Sequence, residues 1–159
     1  MEFFPDIEID AQQAEAIARG LYAVAAVDGV HERELALISE FYRTTADDQA
    51  AGAGAGTSAS ASASSLTRIS ALGPQDLAPL LPNGPMRELF IKASYLLAWS
   101  DGQVSEAERA QIGHFAAALA VSPETQRILE SEVKDFLLRP LARLANVDAV
   151  TAVAKKIGA

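Results

Sequence analysis

One pattern occurs twice in this chain and narrows its folding more than any other feature. An apolar helical run ends in Asp-Gly, and a glutamate follows in the first turn of a second helix. The first copy, residues 22–34, carries Asp28-Gly29 and Glu34; the second, residues 95–108, carries Asp101-Gly102 and Glu108. Glycine enters the left-handed conformation without steric cost, so each Asp-Gly predicts a helix end and a reversal. The chain is therefore expected to contain two helix–Asp-Gly–helix hairpins. The second spacer is one residue longer, and His31 stands where Ser105 serves as a helix cap.

The flanking residues extend this helical reading. Asp10 with Gln13 has the spacing of a capping box, opening a helix from Ala11 to about residue 27. Ala14, Ile17, Ala18, Leu21, Val24 and Ala25 form its apolar stripe. A second helix is expected from Glu32 to about Tyr42, burying Leu35, Ile38 and Phe41 or Tyr42. Residues 66–72 read as a short helix stopped by Gly73-Pro74, and three prolines then keep the chain irregular to residue 82. From Pro85 to about Ser100 the sequence is apolar on nearly every face, which predicts the central helix. Ser105 and Glu108 match a second capping box, opening a helix striped with Ile112, Phe115, Ala116 and Leu119. A further helix is capped by Ser122-Pro123, turns Leu129, Val133, Phe136 and Leu137 inward, and is expected to break at Pro140. Final turns follow to about Ile157, and no segment alternates as a strand. The expected fold is all-α, a bundle of about six to eight helices.

Residues 46–65 hold no large apolar side chain and are dominated by alanine, glycine and serine. Such a stretch buries too little to offset the entropy of ordering, so it reads as a tether. This divides the chain into an N-terminal hairpin at 1–45, the tether at 46–65, and a C-terminal helical part at 66–159. A lone two-helix hairpin has little core, so the two parts are expected to pack as one domain. The tether also permits exchange of the hairpin between two copies, giving a homodimer.

The net charge of −8 is concentrated near the start: residues 1–45 hold nine acids and three bases. That sets the chain against nucleic acid and towards a cation or a protein partner. There is no cysteine, hence no disulfide, thiolate metal site or cysteine nucleophile. The opening residues lack a signal peptide's basic region, and no apolar run approaches membrane-spanning length. The expectation is a cytoplasmic protein, with peripheral membrane association left open.

The paired apolar helix, Asp-Gly, spacer and glutamate, set in a helical bundle, resemble the TerB-like family, named for a bacterial tellurite-resistance protein. The resemblance covers residues 11–43 and 85–137. It implies a helical bundle, an acidic metal-binding site and a non-enzymatic accessory role in stress-response or membrane-linked systems. The shorter first spacer and its missing serine depart from the family pattern.

Four residues stand out as candidate cation ligands: Asp28, Glu34, Asp101 and Glu108. If the hairpins pack together, their loops can pool carboxylates, which repel one another unless a cation or a proton neutralises them. An all-oxygen set suits calcium, magnesium or manganese. Two other readings remain open for the same residues: local helix capping, and an acidic patch that docks a protein partner. The latter would make the chain an adaptor or scaffold without metal. Neither loop has the ligand series of an EF-hand, and Gly52, Gly54 and Gly56 lack the context of a phosphate-binding loop. His31 and His114 sit on separate helices without di-iron spacing. No nucleophile elbow or Ser/His/Asp arrangement is present, so no enzyme activity is expected.

Overall fold

The computed structural model describes the backbone of residues 7–53 and 70–145, with side chains throughout except at 44–53, 101 and 140–145. Six α-helices occur in this part: α1 (Ala11–Ala25), α2 (Glu32–Ala53), α3 (Pro74–Leu77), α4 (Gly84–Ala98), α5 (Glu106–Ala118) and α6 (Pro123–Ala145). Short 3-10 turns follow α3 at Ala78–Leu80 and α4 at Trp99–Asp101. Among the described residues there is no strand, and no helix is long and apolar enough to cross a membrane.

Local chemistry sets the helix boundaries. Asp10 accepts from the backbone N–H of Gln13 at 2.7 Å, and Gln13 Oε1 accepts from that of Asp10 at 3.0 Å. This reciprocal box satisfies donors that the first turn of α1 leaves unpaired. Asn83 caps α4 in the same sense through Met86, with Pro85 in its first turn. Gly29 (φ 104°) and Gly102 (φ 91°) both adopt the left-handed conformation that ends the two Asp-Gly turns. After α5 the left-handed position falls instead to Ala120, at φ 57°. Its N–H donates to the Ala117 carbonyl and that of Val121 to Ala116, closing the helix despite the alanine.

The core forms where α1 and α2 pack on each other and α1 lies across α3, α4 and α5. α4 is central: it also carries α6 and touches α2. The whole expected α1 stripe is buried, as are Phe90, Ile91 and Tyr95 of α4 and Ile112 and Phe115 of α5. Alanine and glycine allow close approach at this crossing. A Cβ on Gly20 would lie 2.7 Å from the Phe90 ring and 3.0 Å from Leu77.

Several expectations are corrected. α2 does not stop near Tyr42 but continues to Ala53, so residues 46–53 of the expected tether are helical. Alanine, aspartate and glutamine there extend a started helix at little cost, before the glycines become frequent. Residues 54–65 of the tether and the expected turns after residue 145 lie outside the described residues. Of the helix expected at 66–72, residues 70–72 are not helical, and Leu72 is buried. Pro140 does not break α6, which runs to Ala145; a proline removes one N–H from a helix but leaves the bonds of the flanking turns.

Two residues expected inside are exposed. Leu35 is 42% exposed because the neighbouring Glu34, about 100° around the helix, faces inward with Ile38. Phe136 is 37% exposed because the inward face of α6 runs through Glu130, Val133 and Leu137, and Phe136 lies about 100° around the helix from Leu137. Leu137 is partly buried, as are both Phe41 and Tyr42.

Candidate functional site

The site grows from the second halves of the two repeats. Where the chain leaves the first Asp-Gly turn, α2 begins at Glu32 and its first turn points Glu34 into the protein, only 3% exposed. The matching first turn of α5 buries Glu108 to 4% exposure. Each carboxylate accepts the backbone N–H three residues earlier. His31 donates to Glu34 Oε2 at 2.8 Å, and Ser105 donates to Glu108 Oε2 at 2.8 Å. Ser105 Oγ completes its box by accepting from the Glu108 N–H at 3.1 Å. The two repeats thus share the glutamate half of the capping box, and Ser105 adds the reciprocal side-chain half in the second.

The Glu34 and Glu108 side chains meet, within hydrogen-bonding reach of each other. Burial raises the Glu34 carboxyl above the usual carboxylate range, and both the hydrogen bond and the charge of Glu108 add to the rise. The His31 N–H and imidazole pull the other way without reversing it. Two acids, 74 residues apart in the chain, therefore share one buried spot. Burial disfavours the charged form and like charges oppose, so a proton or a cation is the natural third member.

The aspartates fall differently. Asp28 is exposed. The backbone of Asp101 belongs to the 3-10 turn that packs beside α2, near the start of the second repeat's reversal, and its side chain lies outside the description. Among the described residues no three or more acids or histidines converge as a metal-ligating group. His31 and His114 are both exposed.

A second polar cluster, unforeseen from the sequence, ties α5 to α6. Arg109 forms two hydrogen bonds to Glu130, at 2.9 and 3.0 Å, and Lys134 reaches the same carboxylate at 3.1 Å. Burial alone would raise the Glu130 pKa, but the two cations outweigh it and hold the group below the usual range. Lys134 also sits 5.0 Å from the centre of the Trp99 ring, and Gln126 donates to the Tyr95 hydroxyl at 2.7 Å. Nothing in the local sequence distinguishes Glu130 from the exposed acids of α6. Its role follows from Arg109 lying on another helix.

The pairing of the repeats brings Glu34 and Glu108 together. No family model, no curated protein and no solved structure matches the chain.

Proposed function

We propose that the chain is a non-enzymatic, TerB-like accessory protein of a bacterial stress-response or membrane-linked system, and that it takes up a divalent cation between Glu34 and Glu108. The observation that carries the reading is the contact of these two buried carboxyls across the hairpins. Each commits one oxygen to a backbone N–H, which orients the other without neutralising its charge. The donors are oxygens alone, which suits calcium, magnesium or manganese and disfavours softer metals. Such cations take six or more oxygens, so the two glutamates supply part of a shell. Backbone carbonyls and water are the oxygen donors that ordinarily complete such a shell. Bound there, the cation would supply charge neutralisation that joins the two halves of the fold. Asp28, on the surface, is assigned an outer electrostatic role.

Isothermal titration of metal-stripped protein with calcium, magnesium and manganese tests this directly. The expected result is one site per chain, lost in Glu34→Gln and Glu108→Gln and retained in Asp28→Asn. Asp101→Asn reports whether that side chain joins the shell. The absence of binding by all three cations to the folded native chain overturns the reading.

A protein-docking adaptor without metal is the second reading. It is favoured by the exposed apolar Val27, Leu35 and Leu37, which lie among the acids of the N-terminal hairpin. Cation-independent capture of a basic protein by this hairpin would support it.

A further inference from the structure

We draw no further inference here: the strongest candidate, the individually exposed apolar side chains Val27, Leu35 and Leu37 on the surface of the N-terminal hairpin, carries nothing because nothing in the structure shows what covers them.

Discussion

Glu34 behaves unlike an ordinary surface glutamate because its environment favours the neutral form. Its pKa in the folded chain lies above the unfolded value of about 4.5, so the folded state holds the proton more tightly. The contribution of this group to stability is complete below about pH 4.5 and is lost as pH rises through the folded pKa. Glu130 has the opposite sign: its pKa is lowered, so its contribution is present above the unfolded value and is lost as the solution becomes acidic. In the absence of divalent cations, Glu34→Gln is expected to remove the loss on the alkaline side while keeping a hydrogen-bond acceptor for His31. Denaturant unfolding at pH 4 and pH 7 checks this. The variant should match the native chain at pH 4 and exceed it at pH 7. Equal differences at both pH values would show that Glu34 does not titrate against a buried neighbour.

Among the elements, α1 and α4 approach closely at Gly20. Gly20 faces the Phe90 ring, and an added methyl would require that ring and Leu77 to shift within a filled core. Alanine is the better helix former by about 1 kcal/mol, but overpacking a core costs about 1–3 kcal/mol. Because a ring in full burial has little room to yield, Gly20→Ala is expected to destabilise by about 1–2 kcal/mol, read from the urea midpoint. An unchanged midpoint would mean that the helices separate easily there. The helices themselves were legible because their signals are local. Asp10 with Gln13, Ser105 with Glu108 and the two Asp-Gly turns each specify a boundary through neighbours within a few residues. What escaped was set by which face each helix turns inward. Leu35 fits an apolar stripe as well as Ile38 does, yet the inward position beside Ile38 is taken by Glu34. Phe136 fits a stripe with Val133, yet Glu130 and Leu137 take the inward positions of α6. Pro140 signals a break that the rest of α6 overrides.

At the scale of the whole molecule, the duplicated motif becomes a single site only when the hairpins pack together. The sequence singled out four acids by their place in the repeat. The structure brings two of them into contact, leaves Asp28 at the surface and places the Asp101 backbone beside α2. Spacing along the chain identifies equivalent positions, but not which side chain of an equivalent set faces its counterpart. That depends on the rotation of each helix, which places Glu34 and Glu108 inward by the same first-turn geometry. The Glu34–Glu108 contact also joins residues before and after the alanine-, glycine- and serine-rich connection. Exchange of the hairpin between two copies would rebuild the contact in trans. Light scattering is therefore expected to show mass rising with concentration while cation stoichiometry stays at one per chain. A constant monomer mass at high concentration would exclude exchange and leave the site within one chain.

The most direct test of the account is thermal unfolding of native and Glu34→Gln/Glu108→Gln protein at pH 7, each in EDTA and in saturating cation. A ligand at 100 times its dissociation constant adds about 2.7 kcal/mol, which for a chain of this size raises Tm by about 5–10 °C. The predicted result is a reversal of order. In EDTA the double variant melts higher, because the buried like charges are gone; in cation the native chain melts higher, because only it retains the site. If the order is the same in both solutions, Glu34 and Glu108 are helix caps that happen to meet, and the cation reading is wrong.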